Sequence, residues 1–136
     1  MQKKLNRKLY LGSGLIILLL AVVIMSFQIK ERFFNTGFDT AFHMNRIYDT
    51  AMQIKTGHFS YFAAWFGFSR IGRIVNPLYG PGFAYLLGLL LLITGSWVKW
   101  EITIGIIVLF VAGIGTYWLG RDNHVTNFNS LIMAGI

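Results

Sequence analysis

Three long apolar runs, at residues 9–29, 78–98 and 102–119, constrain this chain more than any other feature. At 1.5 Å per helical residue, about 20 residues cross the roughly 30 Å hydrocarbon core of a bilayer. Inside that core every backbone N–H and C=O must be satisfied within the protein, so such runs fold as helices. Composition points the same way. With 55% of its 136 residues hydrophobic and 12% charged, the chain has more apolar surface than one small soluble core could hide. The expected fold class is all-α, with multi-pass transmembrane helices.

The charges lie at the edges of those runs. Lys3, Lys4, Arg7 and Lys8 precede the first run with no acid among them, which places the N-terminus in the cytoplasm and the chain in the cytoplasmic membrane. The run is longer than a signal-peptide core and ends in Met25-Ser26-Phe27-Gln28, not in a small-x-small cleavage site. A net charge of +7 and a pI near 10 would suit nucleic acid, but the basic residues form no recognition helix or stripe. Membrane lipid is the expected partner, and nucleic acid is not. The absence of cysteine excludes disulfides, thiolate zinc sites and cysteine nucleophiles.

Residues 30–77 form the loop between the first two runs, expected on the extracytoplasmic side. Within it, residues 38–57 have helical periodicity. Asp39, His43, Arg46, Asp49, Thr50 and Gln53 gather on one side, and Ala41, Met44, Ile47, Tyr48, Ala51, Met52 and Ile54 on the other. This pattern predicts an amphipathic helix lying on an apolar surface, with Thr36 or Asp39 as its N-cap and Gly57 as its stop. The aromatic, glycine-rich stretch that follows predicts a second interfacial helix within residues 59–75. Pro77 and Pro81 sit near the start of the second run, where missing amide donors do least harm. Lys99-Trp100-Glu101 reads as a tight polar connection to the third run, which Trp97 and Trp100 bracket at one end and Tyr117 and Trp118 at the other. Gly88, Gly95, Gly105, Gly113 and Gly115 favour close helix approach. Residues 125–136 read as the start of a further hydrophobic element, and the chain as an N-terminal piece of a longer protein.

Asp39, His43 and Arg46 stand at helical spacings of four and three. A carboxylate, an imidazole and a guanidinium on one face can take a proton from a hydroxyl and hold a phosphate. A structural reading fits the same residues: Asp39 as a cap, and Arg46 paired with Asp49 or Asp39. Arg70 and Arg73 are candidate clamps for a lipid-linked phosphate, or ordinary snorkelling residues at the headgroups. No metal site is expected, because His43 and Asp39 alone do not make one. Nor is there a nucleotide-binding loop, HExxH or GxSxG motif, so no nucleotide cofactor is expected.

The core Asp39-Thr40-Ala41-Phe42-His43-Met44-Asn45-Arg46-Ile47, then Ile54-Lys55-Thr56-Gly57, then Tyr79-Gly80-Pro81-Gly82-Phe83-Ala84-Tyr85 opening the next run, resembles a known pattern. It is similar to the N-terminal part of bacterial membrane proteins related to the C-type glycosyltransferase (GT-C) superfamily. These include large proteins labelled "6-pyruvoyl-tetrahydropterin synthase-related", a label that implies no pterin chemistry. The resemblance implies many spans, and an acidic residue in the first extracytoplasmic loop that acts in transfer from a polyprenyl-phosphate-linked sugar. By position that acid is Asp39, as general base or as the support of a divalent metal, with His43 and Arg46 as supporting residues of no fixed role. The remaining spans of the parent, or other membrane helices, would be partners, and the isolated fragment would be inactive. The alternative is a small non-enzymatic multi-pass membrane component, an assembly subunit or a lipid- or ion-handling protein.

Overall fold

The computed structural model describes residues 2–135. The side chains of Lys3, Lys4, Arg7 and Lys8, expected at a membrane edge, lie outside the described residues, as does Ile136. The fold is all-α but for one minimal strand pair. Its helices are α1 (Gln2–Ile24), α2 (Ser26–Glu31), α3 (Thr40–Thr56), α4 (Asn76–Tyr79), α5 (Pro81–Thr94), α6 (Trp97–Asp122) and α7 (Asn127–Gly135). Strands β1 (Ala63–Ala64) and β2 (Arg73–Ile74) pair antiparallel, with Ala63 opposite Ile74 and Ala64 opposite Arg73. The chain forms two compact units, residues 33–100 and residues 1–32 with 101–136.

Helix α6 has 26 residues and is long and apolar enough to cross a membrane. The other expected spans are more broken. The run at 9–29 is interrupted at Met25, and α2 then ends where Arg32 turns left-handed and donates its N–H to the Gln28 carbonyl. The run at 78–98 is α4 followed by the 14-residue α5, which Gly95 stops at φ 64° with its N–H on the Leu91 carbonyl. Lys99-Trp100-Glu101 is therefore not the connection to the third run. The turn falls at Gly95-Ser96, and the charged triplet rides inside the first turns of α6. Glycine in the left-handed conformation ends a helix, whereas Lys, Trp and Glu are easily carried within one.

In the unit built from residues 1–32 and 101–136, glycines admit neighbouring side chains. Ile17 occupies the space beside Gly113, the Ser130 hydroxyl lies against Gly120, and Met25 lies against Gly105. Tyr117 is buried and donates to Asn127 Oδ1 at 2.6 Å, which fastens the start of α7 to α6. The apolar stretch near the C-terminal end does form a helix, the nine-residue α7.

In the other unit α3 packs along α5. Gly88 is the point of closest approach, since a Cβ there would lie 2.6 Å from Thr50 Oγ1 and 2.7 Å from the Ala51 nitrogen. Trp100 donates its indole N–H to the Leu87 carbonyl at 2.9 Å, and Trp97 meets Phe34 edge to face. The second interfacial helix expected within residues 59–75 is absent. That stretch is an irregular loop containing β1, a short 3₁₀ turn (Phe68–Arg70) and β2. Its aromatic side chains and glycines give no helical periodicity strong enough to satisfy the backbone internally, so its amides turn elsewhere.

Candidate functional site

They turn to α3. The helix begins and ends as the residues suggest, with Asp39 at the N-cap position and Gly57 left-handed at its close. Its buried face is wider than expected: Ile47 and Ala51 of the apolar side are buried, but so are Arg46, Asp49, Thr50 and Gln53 of the polar side, while Tyr48 is exposed. The physical reason is the demand of nearby backbone. Buried N–H and C=O groups without helix or sheet partners must find side chains, and α3 supplies them in two rows of four-residue spacing.

The first row is Asn45, Asp49 and Gln53, which holds the irregular loop. Asn45 Oδ1 accepts from the Phe68 N–H at 3.0 Å. Asp49 Oδ1 accepts from the Phe66 and Gly67 N–H groups at 2.6 and 3.2 Å, and Asp49 Oδ2 from Gln53 Nε2 at 2.5 Å. Gln53 Oε1 accepts from the Ser60 N–H at 2.8 Å and from the Tyr85 hydroxyl at 2.5 Å. Gly67 is pressed against the Asn45 carbonyl, where no other residue fits. Beyond it Phe68, Ser69 and Arg70 have φ of 50°, 60° and 62°, three successive left-handed residues that are not glycine. Such conformations cost roughly 1–2 kcal/mol each and persist where surrounding bonds impose them.

The second row is Arg46 and Thr50, which holds the approach to α5. Arg46 Nη2 donates to the Tyr79 and Gly80 carbonyls at 3.0 and 2.6 Å, and the guanidinium lies 5.4 Å from the Tyr79 ring centre. Burial lowers the Arg46 pKa from its ordinary value, and the Tyr79 side chain opposes that shift. Thr50 Oγ1 lies 2.8 Å from the Ala84 carbonyl and 3.0 Å from the Ile47 carbonyl, sharing one proton between them.

The fold therefore separates Asp39, His43 and Arg46, which the spacing placed together. Asp39 and His43 are exposed, whereas Arg46 is spent on the carbonyls before α5. Pairing of Arg46 with Asp49 is not what the structure shows, since the Asp49 carboxylate is filled by the loop amides and Gln53. Asp39 occupies the N-cap position without a side-chain capping bond, so its carboxylate is not tied to an amide of the helix start. The His43 ring meets Phe42 and Tyr79 at centroid distances of 5.2 and 6.1 Å. Phe42 also meets Phe68 and Tyr79, at 5.5 and 5.3 Å, which makes one aromatic surface from α3, the loop and α4.

The two candidate phosphate residues differ. The Arg73 guanidinium lies over that surface, 5.7 Å from the Phe42 centroid and 5.2 Å from that of Phe68, which restrains it while its side chain stays exposed. Arg70 sits exposed on the left-handed turn, away from such a platform among the described contacts. No group of three or more His, Cys, Asp or Glu residues able to hold a metal occurs among the described residues.

Sequence reasoning missed the Asn45–Asp49–Gln53 row as the holder of the loop. The available signal was a polar i, i+4, i+8 series followed by a glycine-rich stretch with no regular pattern of its own.

The structure is thus that of an all-α protein with, among the described residues, one helix long and apolar enough to cross a membrane, and with a polar-faced helix organising an irregular loop. Comparison with family models, with curated protein sequences and with solved structures gave no match.

Proposed function

We propose that the chain is the N-terminal portion of an integral membrane, GT-C-like glycosyltransferase. It would use a polyprenyl-phosphate-linked sugar at the outer face of the cytoplasmic membrane, with its N-terminus in the cytoplasm. The observation that carries this reading is the split along α3. Asn45, Arg46, Asp49, Thr50 and Gln53 are engaged in holding the loop and α5, while Asp39 and His43 are left open beside an aromatic surface bearing Arg73. An open carboxylate is suited to accept a proton from an acceptor hydroxyl, and a restrained guanidinium to bind a phosphate. In this account Asp39 is the general base, His43 supports it, and Arg73, with Arg70 flanking, faces the lipid-linked phosphate. Arg46 supports the site indirectly, by fixing Tyr79.

Exposed apolar side chains support the multi-pass arrangement. Leu11, Val23, Leu86 and Ile93 are each more than 60% exposed, on α1 and α5, and such faces suit lipid or further helices better than water. The same faces favour a second reading, a non-enzymatic membrane component that packs against partner helices. Turnover separates the two. Membranes containing the complete gene product should release polyprenyl phosphate from the lipid-linked sugar, and Asp39→Asn should lower the rate by about 10²–10⁴-fold, the usual contribution of a general base. Unchanged turnover in Asp39→Asn would remove the catalytic assignment. A stable complex formed by these residues alone, without turnover, would favour the second reading.

A further inference from the structure

A second polar site lies in the other unit, at the C-terminal end of α6. A cavity of about 520 Å³ is lined by Tyr10, Gly115, Trp118, Leu119, Arg121 and Asp122. Arg121 is anchored there by the turn into α7, donating from Nη1 to the Val125 carbonyl at 2.7 Å. Its Nε is buried and has no hydrogen-bond partner among the described residues. Asp122 is exposed, and Trp118 is 62% exposed. A Cβ at Gly115 would meet nothing within 4 Å, so the helix surface is open on this side.

We propose that this cavity binds the headgroup of a membrane aminophospholipid, of the phosphatidylethanolamine type. The inference rests on α6 crossing a membrane and is independent of glycosyl transfer. The end of such a helix lies at headgroup depth, where Trp and Tyr rings sit against the glycerol and ester region. One guanidinium and one carboxylate in the same cavity match a phosphodiester and a primary ammonium. An anionic glycerol headgroup offers no cation to Asp122, and a choline headgroup offers no N–H, so the charge pair selects the primary amine.

The test uses the full chain in nanodiscs of equimolar phosphatidylethanolamine, phosphatidylglycerol and phosphatidylcholine, with native mass spectrometry of the retained lipid. Phosphatidylethanolamine should be retained at least about five-fold over each of the others, a difference of roughly 1 kcal/mol on the scale where 1.4 kcal/mol is tenfold. Asp122→Asn should erase that preference. This variant changes an exposed side chain with no hydrogen bond or ion pair among the described residues, so the fold is kept. Equal retention of the three lipids, or a preference that survives Asp122→Asn, overturns the site. Carbonate extraction of the same membranes separates the two premises. Release of the chain refutes α6 as a span, whereas retention without lipid preference refutes only the headgroup site. Displacement by soluble glycerophosphoethanolamine at concentrations matching the lipid would reassign the cavity to a free phosphoester and remove the lipid from it.

Discussion

Replacing Asp49 with alanine is the perturbation that most directly probes how α3 holds the loop. The wild-type carboxylate is almost fully buried and accepts three hydrogen bonds, from the Phe66 and Gly67 amides and from Gln53. Each donor left buried without a partner costs about 1–3 kcal/mol, so a simple sum for three gives about 3–9 kcal/mol. Phe66 is only half-buried, and members of one network do not add. The expected loss is therefore about 3–5 kcal/mol, the range for breaking a buried charged network. Read by hydrogen exchange, the Phe66 and Gly67 amides of Asp49→Ala should exchange roughly 10²–10⁴-fold faster, at tenfold per 1.4 kcal/mol. Asp49→Asn should fall between, at about 1–3 kcal/mol. It keeps one oxygen for the two amides but turns an NH₂ toward Gln53 Nε2, and Gln53 cannot flip without leaving the Ser60 N–H unpaired. Exchange of both amides within tenfold of wild type in Asp49→Ala would mean that the loop is held by something other than Asp49.

Other substitutions test the remaining contacts. Gly88→Ala forces a Cβ onto Thr50 and the Ala51 backbone and should cost about 1–3 kcal/mol in denaturation of the micelle-bound chain. Gly82→Ala, with nothing within 4 Å of its Cβ, should gain about 0.5–1 kcal/mol in the same assay. Arg46→Lys loses the planar guanidinium that lies against the Tyr79 ring while its Nη2 meets the Tyr79 and Gly80 carbonyls, and should destabilise by about 1–3 kcal/mol, seen as faster proteolysis between α4 and α5. An arginine in place of Ile107 or Val111, both exposed apolar residues of α6, should raise the apparent cost of membrane insertion by about 2.5–3.5 kcal/mol in a translocation assay. An unchanged inserted fraction would argue that α6 does not cross the bilayer.

Long-period features were legible in the sequence. Apolar runs specified helices, and the 3.6-residue pattern bounded α3 within a residue or two, because both depend on local chain chemistry. Where a helix stops was less legible: Lys99-Trp100-Glu101 looks like a connection by polarity, yet Gly95 supplies the left-handed turn that ends α5. The burial of the middle of the polar face of α3 was not legible for a different reason. Polarity alone assigns Asp49, Thr50 and Gln53 to water, but their environment is decided by the unpaired amides of residues 60–68, far along the chain. Of the candidate site, the polar-face pattern placed Asp39 and His43 on one side of the helix, and both are exposed. The diversion of Arg46 to the Tyr79 and Gly80 carbonyls was not legible, since it depends on the turn before α5.

We propose that α3 divides its polar residues between an open functional end and a closed structural row, with the open end outside the cell. The absence of cysteine makes this directly measurable with single-cysteine variants and a membrane-impermeant maleimide on intact cells, or spheroplasts where an outer membrane intervenes. Asp39→Cys and His43→Cys should be labelled within minutes, while Thr50→Cys should stay unlabelled until the protein is denatured. Labelling of Thr50→Cys as fast as His43→Cys, or protection of both open positions until the cells are broken, would contradict it.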